Sequence, residues 1–123
     1  MRVLLDSSAY SLLMRGHQQV AELVRRAEEL RFSAIVVGEL LCGFRQGSRF
    51  EQNAAELRSL HASPYSSFVE VSSVTADRYS RIAASLRAKG RPIPTNDVWI
   101  AAHTLETGAD LVSVDRHFET STA

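Results

Sequence analysis

The sequence predicts an α/β domain in which a mostly parallel sheet of four strands lies between two layers of helices. Short apolar segments, too brief for helices, alternate with longer segments whose apolar residues have helical spacing. Such alternation is typical of βαβ units. The 123 residues provide one hydrophobic core and are too few for two ordinary domains. We therefore expect a single domain over residues 1–123 with a three-layer α/β/α architecture.

The composition is that of a globular protein with no overall charge. Apolar residues make up 45% of the chain and charged residues 23%, and 14 basic residues balance 14 acidic ones. This balance excludes binding of nucleic acid by net charge alone, so any such contact must be local. No apolar run reaches membrane-spanning length and no signal-peptide pattern precedes the first strand. The single cysteine, Cys42, lies among apolar neighbours and is expected in the core. We expect a soluble, cytoplasmic protein.

The first half of the chain contains two predicted strands. Residues 3–5 form a short apolar run that ends at Asp6 and reads as a buried strand. Two helical pieces follow, with a break at Gly16-His17. The continuous apolar run 32–37, rich in β-branched residues, predicts a central strand that ends at Gly38-Glu39.

Helices and a third strand occupy the middle of the chain. Helices are predicted over residues 39–44 and 50–60, separated by Gly47-Ser48. Residues 68–71 alternate partly and predict a strand near an edge of the sheet. The next helix is expected to begin with Thr75 as its cap and to run to Gly90.

The last part of the chain contains one more helix and one more strand. After a proline-containing loop, a helix capped by Thr95 or Asn96 is expected to end at Gly108. Residues 111–114 predict a fourth strand, which ends at Asp115. Asp97 falls in the first turn of the helix, where the helix dipole favours a negative charge, so it has a purely structural explanation when considered alone.

Four acidic residues are predicted to converge. Asp6, Glu39 and Asp115 each follow a predicted strand, and right-handed crossovers place the carboxyl ends of parallel strands along one rim of the sheet. Asp97 begins a helix that packs on the same layer. Ligands of open α/β sheets bind along this rim. We therefore expect all four carboxylates in one pocket.

Clustered carboxylates require a counterion. Like charges a few ångströms apart cost on the order of 1–4 kcal/mol per close pair near a surface. Oxygen-only ligation indicates Mg²⁺ or Mn²⁺ as the cofactor, since the Cys/His spacing of a structural zinc site is missing. Such ions bind a phosphodiester, generate hydroxide and stabilise the leaving oxygen. The predicted reaction is metal-dependent hydrolysis of nucleic acid.

Four segments of the chain together resemble the PIN-domain nucleases, and more closely the VapC-type ribonuclease toxins of prokaryotic toxin–antitoxin operons. The likeness covers nearly the whole chain. The matching segments are residues 4–9, residues 33–43 with Gly38-Glu39-Leu40-Leu41, residues 96–102 with Asn96-Asp97-Val98-Trp99, and residues 113–118 with Ser113-Val114-Asp115. Each segment is weak by itself, and the four together are specific.

The resemblance implies an endoribonuclease that acts on RNA and is restrained by a cognate antitoxin protein. It also implies a homodimer. The residues that bind the metal, directly or through water, would be Asp6, Glu39, Asp97 and Asp115. Ser7 and Ser113 would orient carboxylates or water, with Asn96 in a supporting role. VapC-like chains usually continue into a final edge strand, and we expect that fifth strand to be missing here.

Other readings of the sequence remain open. Four arginines near the predicted rim either clamp RNA phosphates or remain solvated surface charges; these are Arg15, Arg45, Arg91 and Arg116. The histidines show no metal spacing and are expected in packing or surface roles, and Trp99 is expected in the core. The alternative function is a catalytically silent PIN-like module that only binds a partner. A phosphoryl-accepting receiver domain would need an aspartate after the third strand, where the chain has Ser72-Ser73.

Overall fold

The structure is a computed structural model that describes residues 1–114. The predicted α/β/α class is confirmed, with a four-stranded parallel sheet and six helices in this part of the chain. The elements in chain order are β1 (Arg2–Leu5), α1 (Ser7–Met14), α2 (Gln18–Arg26), β2 (Glu29–Ser33), α3 (Ala34–Gln46), α4 (Phe50–His61), β3 (Ser66–Val69), α5 (Ser73–Ala88), α6 (Thr95–Thr107) and β4 (Asp110–Val112).

The order of the strands creates a crevice beside β1. The sheet order is β3-β2-β1-β4 and every pairing is parallel. The chain builds outward from β1 through β2 to β3, then returns through α5 and α6 to place β4 on the other side of β1. Leu4 accordingly lies opposite both Arg31 and Leu111. The reversal between β1 and β4 is the position where open α/β sheets bind ligands.

Two apolar clusters stabilise the domain. The larger one packs β1 and β2 against helices α1 to α4, and its central residues Val3 and Leu4 are fully buried. The smaller one joins α5 to α6 through residues such as Ile82, Leu86 and Ala102. Burial at about 25 cal/mol per Å² of apolar surface makes these clusters the main source of stability. Helix α6 contributes Ile100 to the larger cluster and Val98 to the smaller one, which fixes its position against the rest of the fold.

The predicted strand over residues 32–37 is wrong beyond Ser33. Strand β2 ends at Ser33, and the run that follows is the beginning of helix α3. The hydroxyl of Ser33 caps this helix by accepting a hydrogen bond from the Ile35 N–H at 3.1 Å. A short apolar run fits a buried helix as well as a buried strand, and the capping serine decides between them here. Glu39 therefore lies within α3 rather than at the end of a strand.

Strand β3 is confirmed as an edge strand but lies two residues before its predicted position.

The prediction that Thr75 caps α5 is wrong, because the N-cap is Ser72. Thr75 is the third residue of the helix and completes a capping box, in which each side chain accepts a hydrogen bond from the backbone N–H of the other residue.

The cap predicted for α6 is also wrong. The helix begins after Pro94, without a side-chain cap, and Thr95 and Asn96 are already its first two residues. The amide of Asn96 is used elsewhere, in a contact to Glu39. The predicted end at Gly108 is confirmed, since this residue has a φ of 68°, a left-handed conformation that glycine adopts without strain.

The remaining predictions have mixed outcomes. Cys42 is exposed, so its predicted place in the core is wrong: it lies on the outward face of α3. Trp99 is only partly buried and belongs to neither apolar cluster, so its predicted place in the core is wrong; it stacks on Tyr79 of α5, with ring centroids 4.1 Å apart. The prediction that a fifth strand is missing concerns the chain after residue 114, which lies outside the described residues. None of the helices described has the length and apolar character needed to cross a membrane.

Candidate active site

Asp6 lies at the carboxyl end of β1 and begins helix α1. As N-cap residue, its Oδ1 accepts a hydrogen bond from the Ala9 N–H at 2.8 Å and another from the Ser8 hydroxyl at 2.7 Å. Its Oδ2 accepts a hydrogen bond from the hydroxyl of Ser113, which follows β4. The Asp6 N–H donates to the Val112 carbonyl at 3.2 Å. The side chain is 4% exposed, so the carboxylate is buried and held from both sides of the crevice.

Glu39 reaches the same region from the second turn of α3. Its Oε1 accepts a hydrogen bond from the Ser7 hydroxyl at 2.8 Å. Its Oε2 accepts one from the Asn96 amide at 3.3 Å. Because Ser7 directly follows Asp6, and Asn96 directly precedes Asp97, these two contacts connect Glu39 to the neighbours of both aspartates. The half-buried Glu39 is thus the residue at which α1, α3 and α6 meet.

Asp97 occupies the first turn of α6 and is 8% exposed. A carboxylate in this turn is favoured by the positive end of the helix dipole, and α6 lacks a side-chain cap that would compete for its N–H groups. Asp115, the fourth predicted ligand, lies outside the described residues. Direct hydrogen bonds thus join Ser113 to Asp6, and join Ser7 and Asn96 to Glu39, while convergence of all four acids stays a prediction.

The electrostatics of the site suit a cation. In the described part of the chain, no Lys, Arg or His side chain forms an ion pair with Asp6 or Glu39. Their hydrogen-bond donors are neutral hydroxyl, amide and backbone groups. A buried carboxylate without a compensating positive charge is unfavourable, and oxygen ligands are those that Mg²⁺ and Mn²⁺ prefer. Residues 1–114 by themselves do not bring three Asp, Glu, His or Cys side chains into one metal-binding group. The donor set therefore fits a divalent ion, with at least one ligand still to be supplied.

An open hollow lies directly beside Glu39 and Asn96. It has a volume of about 510 Å³, and small residues of α3, including Gly38 and Gly43, form part of its wall. A Cβ atom added at either glycine would meet nothing within 4 Å. The surface next to the acids is therefore accessible to a large substrate.

Of the arginines predicted to bind RNA, those that the structure describes do not surround the acids. Arg15 ends α1, Arg45 lies in the last turn of α3, and Arg91 is in the loop before α6; all three are exposed. The guanidinium of Arg45 lies 4.1 Å from the ring centroid of Phe50. Arg116 is outside the described residues. The structure does not gather the three described arginines at the acids, so their role in RNA binding stays a prediction.

Two groups make contacts that the sequence did not predict. Ser8 contacts Asp6 and also accepts a hydrogen bond from the Val114 N–H at 3.3 Å. The adjacent serines after Asp6 were the available signal. The second group is His103, fully buried in α6 and in contact with Ser33. Only its location on the inner face of an apolar helix could have indicated it, and the expected packing role is confirmed.

Comparisons with known proteins identify the family and agree with the fold. The family model of the PIN domain matches residues 3–121. Ribonuclease VapC1 of Haemophilus influenzae (strain R2866) is 28% identical over 114 residues, which cover 89% of this chain and 84% of the relative. The structure of VapBC-1 from nontypeable Haemophilus influenzae is also 28% identical, with a TM-score of 0.85, and the match covers 99% of this chain and 93% of that chain. VapBC2 from Rickettsia felis, bound to a DNA fragment from the promoter, is similar in fold at 24% identity and a TM-score of 0.83, over 98% of this chain and 92% of that chain. This chain belongs to the PIN domain family.

Proposed function

We propose that this protein is a metal-dependent endoribonuclease and the toxin of a toxin–antitoxin pair. The observation that supports the proposal most directly is the pair of hydrogen bonds from Ser7 and Asn96 to Glu39, at 2.8 and 3.3 Å. They join three elements far apart in sequence at a carboxylate that no described residue neutralises. Ribonuclease VapC1, 28% identical over most of its length, supports RNA as the substrate.

Each acidic residue has a role in this proposal. Asp6, Glu39, Asp97 and Asp115 would hold Mg²⁺ or Mn²⁺ directly or through water. The bound ion would activate a water molecule and stabilise charge on the phosphodiester. Ser8 and Ser113 fix the Asp6 carboxylate, while Ser7 and Asn96 fix that of Glu39. Such preorganisation reduces the rearrangement needed when substrate binds.

The proposal extends to partners. The neighbouring structures are of VapBC proteins, one of them bound to DNA. These structures support an antitoxin as the partner of this chain. The proposal also includes a cytoplasmic location and a homodimer as the assembly of the toxin. A basic side chain of the antitoxin inserted between the acids would replace the charge of the metal and block cleavage.

The experiment is cleavage of RNA by the purified protein. A structured RNA pool is incubated with the protein in Mn²⁺, in Mg²⁺ and in EDTA, and the new ends are sequenced. We expect cleavage at a restricted set of sites with either ion and none in EDTA. Asp97→Asn keeps the size of the side chain and its compatibility with the first turn of a helix, so it should abolish cleavage without unfolding the protein.

Asp77→Asn is the matched control. Asp77 is an exposed aspartate on α5 whose carboxylate pairs with Arg81 at 2.9 Å, away from the acids. This variant should cleave RNA like the wild type. RNA cleavage that persists in EDTA, or in Asp97→Asn at the wild-type rate, would contradict the proposed mechanism.

A further inference from the structure

A second cavity lies between α1, α3 and α4, and we name it the α4 pocket. Its volume is about 310 Å³, and its wall includes Tyr10, Arg15, Phe44, Arg49, Gln52 and Glu56. None of these residues belongs to the acidic site. The pocket combines a helix terminus, a buried hydroxyl group and two arginines, and each of these features favours an anion.

The first feature is the beginning of α4. Arg49 occupies the N-cap position and makes no side-chain hydrogen bond to the helix, which runs for 12 residues from Phe50. The first N–H groups of a helix have no partner inside the helix, and the helix dipole gives this end a partial positive charge. Arg49 and Gln52 both line the pocket, so this uncapped end faces it. Helix ends of this type bind phosphate groups.

The second feature is the hydroxyl group of Tyr10. The residue is 3% exposed, and its hydroxyl has no hydrogen-bond partner in the described part of the chain. A buried polar group without a partner is unusual in a folded protein. Burial, and to a lesser degree the charge of Glu56, raises the pKa of Tyr10, so the hydroxyl keeps its proton and is available as a donor. Tyr10 thus lines the pocket and has a hydroxyl whose hydrogen bond is still to be made.

The third feature is the surrounding charge. Arg15 and Arg49 are exposed, and neither forms an ion pair with any carboxylate of residues 1–114. Arg45 adds a third guanidinium nearby, stacked on Phe50 next to Arg49. Among residues 1–114, Glu56 is the one acid that lines the pocket, and its negative charge opposes an anion there. Guanidinium groups suit phosphate because they donate two hydrogen bonds in one plane.

The pocket lies close to the acidic site along two helices, α1 and α3. Ser7, which contacts Glu39, precedes the pocket residue Ser11 by about one helical turn on the same face of α1. On α3, the pocket residue Phe44 follows Glu39 by five positions, about 7.5 Å along the helix axis. Along both helices the pocket is therefore about one to two helical turns from the residues of the acidic site.

We propose that the α4 pocket binds a backbone phosphate of the RNA strand whose scissile bond lies at the acidic site. The inference rests on the proposed ribonuclease function and adds an RNA-holding site to it. Arg15 and Arg49 provide charge, while the Tyr10 hydroxyl and the first N–H groups of α4 donate hydrogen bonds. A basic protein segment paired with Glu56 is the competing occupant. It would leave the uncapped helix end and both arginines without a partner, so an anion is favoured.

The test measures binding separately from cleavage. A fluorescein-labelled single-stranded RNA of 12 uridines is titrated with the full chain in EDTA, and affinity is followed by fluorescence anisotropy at several salt concentrations. We expect Arg49→Gln to weaken RNA binding about tenfold, because the variant loses a hydrogen bond to a charged phosphate group. The slope of log affinity against log salt should become shallower by about 0.7. Tyr10→Phe should also weaken binding, whereas Glu56→Gln should tighten it.

Matched controls use residues outside the pocket. Arg78→Gln changes an exposed arginine of α5, and Tyr65→Phe changes an exposed tyrosine; both should bind RNA like the wild type. Circular dichroism verifies that each variant is folded, and the exposed position of Arg49 keeps that variant informative if Tyr10→Phe is unstable.

Several outcomes overturn the inference. These are undetectable binding by the wild type in EDTA, equal affinity of the Arg49 variant and its control, or weaker binding by Glu56→Gln, which would indicate a cationic ligand. If wild-type protein cleaves RNA while pocket variants bind normally, only the pocket inference fails. If the variants shift binding as expected and no metal supports cleavage, the ribonuclease function fails and the phosphate site stands.

Discussion

The hydroxyl of Ser33 lies 2.7 Å from Nδ1 of His103, and both residues are completely buried. Ser33 caps α3, the helix with Glu39, while His103 belongs to α6, the helix with Asn96 and Asp97. Nε2 of the same imidazole lies 3.2 Å from the carbonyl oxygen of Glu70, just after β3. One side chain thus fixes two of the three helices that meet at Glu39 relative to each other.

This arrangement makes folding stability depend on pH. Burial lowers the pKa of His103, and its hydrogen bond to the Glu70 carbonyl and the negative charge of Glu106 only partly oppose that effect. His103 therefore binds a proton more readily in the unfolded chain than in the folded chain. The stability that depends on His103 is complete above the unfolded pKa of about 6.5 and is lost as pH falls below it. We expect the free energy of unfolding to fall by up to about 1.4 kcal/mol per pH unit in this range.

Urea denaturation at several values between pH 7.5 and pH 5.5 measures this effect. His103→Gln removes the titrating group, so its stability should be lower at pH 7.5 but should vary less with pH. His17→Gln is the control because His17 is an exposed residue at the start of α2. Identical pH dependence of the wild type and His103→Gln would show that His103 does not control it.

The hydrogen bond from Ser7 to Glu39 is expected to affect catalysis more than stability. Ser7→Ala removes a donor at 2.8 Å from Oε1 and leaves the Glu39 carboxylate with the Asn96 contact alone. We expect RNA cleavage to be about tenfold slower. This change is at the lower end of what the loss of a hydrogen bond to a charged group causes. Ser85→Ala, on an exposed face of α5, should cleave normally. Equal rates for the two variants would indicate that Ser7 does not position Glu39.

Thr75 is expected to be important for the attachment of α5 to α6. Its buried hydroxyl donates to Glu106 of α6 at 2.5 Å and accepts from the Ser72 N–H at 3.0 Å. Thr75→Val keeps the shape and loses both contacts, so the free energy of unfolding should fall by about 1–3 kcal/mol. Thr95→Val, at the exposed start of α6, is the control in the same urea denaturation. A Thr75 variant as stable as this control would contradict the assigned role.

The sequence predicted the structure best where the local residues are compatible with only one conformation. The apolar run before Asp6, the break at Gly16-His17 and the left-handed Gly108 each have few structural alternatives, and all three predictions are confirmed. The run after Ser33 was different, because apolar β-branched residues fit a buried helix and a buried strand equally. Only the tertiary contact of Ser33 with His103 and its capping bond to Ile35 identify the turn at which β2 becomes α3.

The candidate site shows the same limit. Asp6 was recognisable from its place at the end of an apolar strand, and it lies there. Glu39 was predicted at the site for the wrong reason, since it comes from within a helix and not from the end of a strand. The contacts that orient it, from Ser7 and Asn96, span 32 and 57 positions of the sequence. Side-chain contacts over such separations depend on the packed fold and leave no local pattern.

The last prediction distinguishes a metal site from an ordinary helix start at Asp97. If the carboxylates share one pocket, their repulsion destabilises the metal-free protein, and Asp97→Asn should raise its melting temperature. If Asp97 only complements the dipole of α6, removing its charge forfeits about 0.3–1 kcal/mol and should lower the melting temperature.

Thermal denaturation with increasing Mn²⁺ provides the second half of this test. A metal that binds only the folded wild type stabilises it by roughly 1.4 kcal/mol for each tenfold rise in free ion near saturation. Asp97→Asn should gain much less, whereas Asp77→Asn, with its charge lost from the exposed face of α5, should respond like the wild type. A lower metal-free melting temperature of Asp97→Asn, together with an unchanged response to Mn²⁺, would assign Asp97 to helix stabilisation and remove it from the metal site.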